Sequence, residues 1–171
     1  MRRTAQPAAG QEHPAVTWSL PFEELAQGAA FTTRARTVTE ADVASFAALT
    51  WDAHPQHTDA EWSAQSPFGE RIAHGMLVLS FAVGLIPFDP ERVMALRRIR
   101  DVVFRRPVAL GDTIHVEGSI DGLRPATDEA GIVTIAVDVL RQDGQRACAA
   151  KVDVLWRAGA LPTATQAEEA S

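Results

Sequence analysis

Gly75-Met76-Leu77-Val78-Leu79-Ser80-Phe81-Ala82-Val83-Gly84-Leu85-Ile86-Pro87-Phe88, residues 75–88, is the longest apolar stretch in this 171-residue chain, and its reading decides the fold. It is 14 residues long and contains Ser80 and Gly84, so it falls short of the roughly 20 apolar residues a membrane span requires. Periodicity predicts a helix that begins near Ala73 and stops at Pro87, where the ring removes a donor and blocks the preceding turn. A helix that is apolar nearly all round must be surrounded by protein.

The C-terminal third supplies the cover. In 113–121, Ile114, Val116, Gly118 and Ile120 alternate with Thr113, His115, Glu117, Ser119 and Asp121, the two-residue period of a strand with one buried face. Residues 124–131 carry Pro, Asp, Glu and Gly and suit a hairpin connection. In 132–140, Val133, Ile135, Val137 and Val139 share a face, and Gln142-Asp143-Gly144 follows as a turn. In 147–156, Cys148, Ala150, Val152, Val154 and Trp156 point inward. A fourth strand is expected at 99–106 and a fifth near 31–38. Upstream, Thr39-Glu40-Ala41-Asp42 opens a second helix in the manner of a capping box, with Val43, Phe46, Ala47 and Leu49 on its apolar face. One buried helix and a long antiparallel sheet make an α+β domain in which the sheet wraps around the helix.

That domain is expected over 18–157. Residues 1–17 and 158–171, poor in large apolar groups, are expected as flexible tails. With 16 Lys+Arg against 22 Asp+Glu, the formal charge of −6 argues against a general nucleic-acid partner. A single cysteine excludes a disulfide framework within the chain, and residues 1–14 hold no apolar run of a secretory signal, so a cytoplasmic location is expected. Cys148, on an apolar strand face, reads as an inert buried thiol.

Two polar clusters could carry chemistry. The first is Trp51-Asp52-Ala53-His54-Pro55-Gln56-His57-Thr58-Asp59. On a continuous helix Asp52 and His57 would point about 140° apart. Pro55 disfavours a helix, and a bent loop can aim both side chains into one cavity. A carboxylate beside an imidazole can hold a water and move its protons near neutral pH. A plain polar turn capping the next helix accounts for the same residues. In the second cluster, Arg71-Ile72-Ala73-His74-Gly75-Met76-Leu77, Gly75 falls in the first helical turn, where N–H groups lack partners and a ligand oxygen can approach. Relief of crowding where helix meets sheet would explain Gly75 equally, and His74 alone reads as structural.

Together, Asp52-x-x-Pro55-x-His57-x-Asp59, Arg71-Ile72-Ala73-His74-Gly75-Met76-Leu77 and Ser80 resemble the MaoC-like family of (R)-specific enoyl-CoA hydratases and dehydratases over about 31–156. The resemblance implies a hotdog fold, an antiparallel sheet wrapped around a long central helix. It implies that Asp52 and His57 are the catalytic pair, activating a water that adds to C3 of a trans-2-enoyl thioester or running the reverse dehydration. It implies that the Gly75 N–H polarises the thioester carbonyl and that Ser80 supports the pair. The family usually has Asn where this chain has His54, so His54 is expected to touch the bound acyl group or brace the loop and to alter substrate preference. The resemblance further implies an acyl-CoA or acyl-carrier-protein thioester as partner and no cofactor beyond the coenzyme A or phosphopantetheine of the substrate. A homodimer or dimer of dimers is expected, with no membrane and no nucleic acid as partner.

Rival readings use the same residues. An enoyl-thioester isomerase or tailoring dehydratase could share the site, and a non-catalytic hotdog subunit should have lost the pair. A metal at His54, His57, Asp59 and His74 is disfavoured by the short spacing and the absence of a helical i, i+4 pair. Arg92, Arg97, Arg98, Arg100, Arg105 and Arg106 could hold substrate phosphates, although most would serve as a solvated strand face.

Overall fold

The computed structural model describes residues 15–160. A turn of 3-10 helix at Phe22–Glu24 precedes β1 (Ala30–Thr32) and β2 (Arg36–Thr37). Four helices follow, α1 (Glu40–Thr50), α2 (Pro55–Thr58), α3 (Ala60–Ala64) and α4 (Gly75–Leu85). Four long strands then complete the sheet: β3 (Val93–Phe104), β4 (Thr113–Thr127), β5 (Ala130–Arg141) and β6 (Arg146–Arg157). The sheet is antiparallel throughout, in the order β1-β4-β5-β6-β3, with β2 beside β1 on the same flank of β4.

The two-residue period is realised as expected. Val133, Ile135, Val137 and Val139 of β5 are buried, as are Ile114, Val116 and Ile120 of β4 and Cys148, Ala150, Val152, Val154 and Trp156 of β6. They form one apolar cluster with Leu77, Val78, Leu79, Ala82 and Leu85 of α4. The helix lies across β4, β5 and β6, which places its N-terminus at one end of the sheet. In α1 the capping box forms as the sequence predicts: the Asp42 N–H donates to Thr39 Oγ1 at 3.2 Å and the Thr39 N–H to Asp42 Oδ2 at 2.9 Å.

Four expectations are corrected. The central helix starts at Gly75, not Ala73, and it is not enclosed: Met76, Ser80 and Gly84 form an open stripe, with Met76 55% exposed. Residues i, i+4 and i+8 share one side of a helix, so the two small or polar members of the greasy stretch mark the side the sheet leaves uncovered. The fourth strand begins six residues earlier than expected, at Val93, and carries register shifts, one of them beside Asp101 with φ of +54°. The fifth is split into β1 and β2. The connection expected at 124–131 is largely strand, because β4 runs through Pro125 to Thr127. Proline fits there because the flank of β4 that pairs with β1 and β2 has no partner strand beyond Ser119.

Trp156, 1% exposed, anchors the far end of the domain. Its indole N–H donates to the Leu20 carbonyl at 2.9 Å. Trp18 packs edge-on against Phe31 and Phe88, with centroids 5.0 and 5.5 Å apart, and leans on Trp156 at 6.2 Å. The domain also reaches slightly beyond 18–157: the Val16 N–H donates to the Ala30 carbonyl at 3.0 Å and the Ala158 N–H to the Glu129 carbonyl at 2.8 Å. The remaining tail residues, 1–14 and 161–171, lie outside the described residues. Among the described residues no helix is long and apolar enough to cross a membrane.

Candidate active site

Helix α1 stops at Trp51, whose φ of +64° throws the chain into a bend carrying Asp52 and His54. Pro55 does not prevent a helix here; it begins one, at the first position of α2, where no N–H is needed. His54 is the N-cap, its Nδ1 accepting the Gln56 N–H at 3.1 Å. In histidine Nδ1 is bonded to Cγ just as Oδ1 is in asparagine, so His54 can make the cap an Asn would make. Accepting at Nδ1 places the His54 proton on Nε2. His54 is exposed, stands edge-on to Trp62 with centroids 5.3 Å apart, and does not line the cavity described below. Its role is to brace the loop.

Buried Gln56 and Ser63 hold α2 and α3 together. The Gln56 amide donates to the Glu70 carbonyl at 2.9 Å, and the Ser63 hydroxyl reaches the carbonyls of Pro55 and Gln56 at 3.1 and 3.2 Å. This fixes His57, whose Nδ1–H donates to the Ile72 carbonyl at 2.7 Å and leaves Nε2 as a free acceptor. Burial is the largest influence on the imidazole and lowers its pKa below the ordinary range; the nearby His74 and His54 add to this, while Ile72 and Asp52 oppose it. Neutral His57 is therefore the favoured form at neutral pH.

His74, 2% exposed, joins the two clusters. Its Nε2–H donates to the backbone carbonyl of Asp52 at 2.8 Å, and its ring stacks on His57 with centroids 3.8 Å apart and planes tilted by 28°. Phe46 packs against it at 5.0 Å. The structural reading of His74 holds: it pins the Asp52 loop to the start of α4. A carboxylate oxygen of Asp52 and ring nitrogens of His57 and His74 consequently lie within 4.8 Å of one another. Imidazole lone pairs lie in the ring plane, and these rings are stacked, so an ion shared between them would sit well out of both planes. The trio is better arranged to hold a water than a metal.

A cavity of about 290 Å³ opens beside His57, lined also by Phe68, Ile72, Gly75 and Phe104. Gly75 is the first residue of α4, and the N-cap His74 provides no side-chain cap, so the first-turn donors lack the partner a Ser or Asp would supply. The glycine permits close approach: a Cβ would lie 2.9–3.1 Å from the Phe104 ring, so a larger residue would push that half-exposed ring aside. Phe104 is a site residue that sequence reasoning missed, since nothing in the pattern of the fourth strand places its last residue over the helix start. Ser80 is not brought to the site. It is exposed, and its hydroxyl donates to the Met76 carbonyl at 2.8 Å within α4. Of the arginine run, Arg92 is buried and holds the carbonyls of Ser19 and Gly159, and Arg100 pairs with Asp101 and Asp153. Arg105 and Arg106 line the cavity.

The arrangement sets a neutral imidazole acceptor in a cavity that ends on a helix N-terminus. The Asp52 carboxylate lies within reach of the His57 and His74 ring nitrogens but is exposed and outside the cavity lining, so the loop brings the pair together without aiming both side chains into one cavity. Such a site can take a proton from a water and stabilise negative charge on an oxygen. Residues 22–140 match the family model described as MaoC like domain. The chain is 31% identical over 104 residues to an (R)-specific enoyl-CoA hydratase of Rhodospirillum rubrum, covering 61% of this chain and 72% of the relative. It is 41% identical over 96 residues to Protein MaoC of Klebsiella aerogenes, covering 56% of this chain but only 29% of that protein. An X-ray structure of an Archaeoglobus monoamine oxidase regulatory protein superposes with a TM-score of 0.78 at 37% identity, covering 82% of this chain and 96% of that one. A Mycobacterium tuberculosis protein with a double hotdog fold, 20% identical, superposes with a TM-score of 0.72 over 84% of this chain and 46% of its own, a likeness of fold.

Proposed function

The chain belongs to the MaoC-like hydratase and dehydratase family of the hotdog fold, and from that premise we propose that it is a hydro-lyase. It adds water reversibly to a trans-2-enoyl thioester to give the (R)-3-hydroxyacyl thioester. The observation that carries this reading is the commitment of His57 Nδ1 to Ile72, which leaves Nε2 as a base in the cavity that Gly75 also lines. In the forward direction His57 Nε2 takes one proton of a water whose other hydrogen the Asp52 carboxylate accepts. The water oxygen bonds to C3 while the C2=C3 π electrons shift to the thioester oxygen, against the Gly75 N–H. The enolate then collapses as C2 takes the proton carried by His57 Nε2, which returns the imidazole to its neutral form and leaves a hydroxyl on C3. The relatives' printed activities, enoyl-CoA hydratase and 3-hydroxybutyryl-CoA dehydratase, are the two directions of this reaction.

The test is direct: purified protein mixed with crotonyl-CoA should bleach the absorbance of the conjugated thioester and yield the (R)-3-hydroxy product. No turnover on a panel of enoyl-CoAs from C4 to C12 would refute the reading. Retention of the acid–base pair disfavours a non-catalytic subunit, and His54, explained as a cap, no longer points toward isomerase chemistry. No cofactor is invoked beyond the carrier of the substrate, and a cytoplasmic location is part of the same reading; the buried Cys148 thiol, its pKa pushed up to about 11 by burial, is unreactive.

The same reading includes a homodimer, or a pair of such dimers. Strand β3 is a sheet edge with Met94, Leu96, Val103 and Phe104 each 44–51% exposed, a row that invites pairing. Light scattering should report at least twice the 18.4 kDa of the chain; a monomer at micromolar concentration would overturn this part.

A further inference from the structure

Gln56 is a polar side chain only 7% exposed, one residue before the base. Burying an amide costs stability unless its groups find partners, and an aliphatic side chain would fill the same space without that demand. We propose that Gln56 is a positioning residue for the reaction: its side-chain amide holds segment 70–72 against α2, which keeps the proton of His57 on Nδ1 and leaves Nε2 bare. This deepens the hydro-lyase reading and rests on it.

Three features support the assignment. First, consecutive residues of α2 grip carbonyls two residues apart on one segment. The Gln56 amide donates to the Glu70 carbonyl at 2.9 Å and His57 Nδ1–H to the Ile72 carbonyl at 2.7 Å, so the first bond sets the height at which the second acceptor meets the ring. A carbonyl only accepts, which turns the amide nitrogen, not its oxygen, toward Glu70. Second, among the described residues the one other tie between α2 and the segment is long. The Ile72 N–H donates to the Gln56 carbonyl at 3.3 Å, and that oxygen also takes the Ser63 hydroxyl at 3.2 Å. Elsewhere the Ala73 N–H donates to the Val108 carbonyl at 2.7 Å and Arg71 pairs with Glu40, but neither bond reaches α2. Third, the tautomer needs holding. A neutral imidazole free in water carries its proton mainly on Nε2, and in a protein the partner of one ring nitrogen decides which of the two is protonated. A base at Nε2 requires the reverse of the aqueous preference. Stacking on His74 at 3.8 Å orients the ring but supplies no partner in its plane, so the choice of nitrogen rests on the Ile72 carbonyl.

The experiment compares Gln56→Met and Gln56→Asn with the wild type, each as the full chain. Methionine matches the length of glutamine without a donor; asparagine keeps the amide but is one methylene too short to reach Glu70. Proton–nitrogen correlation spectra above neutral pH, with His57→Ala identifying the ring, should show the wild-type proton on Nδ1 and, in both variants, a mixture in which Nε2–H appears. Turnover of crotonyl-CoA should fall with it, kcat by about fivefold to tenfold, the weight of one buried hydrogen bond, at unchanged KM. A wild-type spectrum with the proton on Nε2 would overturn the proposal, and this measurement needs no variant to fold. Variants that keep the wild-type tautomer would also overturn it, even if kcat falls, because a merely structural loss leaves the proton where it was. A proton moved to Nε2 in both variants of a chain that turns over no enoyl-CoA would defeat the hydro-lyase reading and leave the positioning role standing. Turnover at the wild-type kcat in both variants would do the reverse.

Discussion

Replacing His57 with alanine lowers kcat by at least about 100-fold, the size of effect expected when a positioned acid–base group is removed, while KM for the enoyl thioester changes little. Asp52→Asn keeps the shape of the side chain, removes its charge and causes a loss of the same order. The two effects do not add, because both groups act on one water. Steady-state kinetics on crotonyl-CoA checks this, and unchanged turnover in both variants would sink the mechanism. The pH profile provides a second readout. Burial holds the His57 pKa below the ordinary imidazole value of about 6.5, so the unprotonated base persists and kcat/KM should fall only on the acid side of that value. The same burial ties His57 to folding. Its contribution is fully present above the unfolded pKa and is lost as pH falls from there through the lower folded one.

Trp156→Ala is expected to cost about 3–5 kcal/mol of stability, the range for emptying a large aromatic site in a packed core. The side chain is 1% exposed, its indole N–H caps the Leu20 carbonyl, and its ring closes the cluster of Trp18, Phe31 and Phe88. The deletion removes apolar contact and also leaves a backbone acceptor without its partner. Against a typical total of about 5–15 kcal/mol, the loss should appear as a large fall in the urea midpoint, and in 18.4 kDa of protein as a drop of many degrees in Tm. A change under about 1 kcal/mol would mean that the N-terminal segment is not docked on the sheet as described. His57→Ala, which removes one hydrogen bond to the Ile72 carbonyl and a half-buried ring stacked on His74, should lower the midpoint by less, about 1–2 kcal/mol, while its loss of turnover is far larger, so the two variants separate chemistry from folding.

Alternation made β4, β5 and β6 readable in the sequence, because each has one face in the core and one in water and the side chains record both. It failed where both faces are wet. Most of β3 is exposed on the edge of the sheet, so no burial pattern marks its start at Val93. Pro125 reads as a break, and only the lack of a further neighbour for β4, a tertiary fact, lets it remain in the strand. At the site, the spacing of Asp52 and His57 pointed to a loop able to bring them together, and the geometry does so. The means was invisible: a hydrogen bond from His74 to a backbone carbonyl leaves no trace in residue type beyond the histidine itself. Ser80 shows the converse error, since a serine in a matching motif position spends its hydroxyl on its own helix.

The cap at His54 has a consequence for how such chains are searched for. A cap of the asparagine kind at this position needs an acceptor atom attached to Cγ, two bonds from Cβ, aimed at the Gln56 N–H. Asparagine, aspartate and histidine all meet that requirement, while glutamine and glutamate, one methylene longer, do not. A pattern written in letters with Asn fixed at this point will pass over sequences like this one, whereas a pattern written as an atom at a distance will retain them.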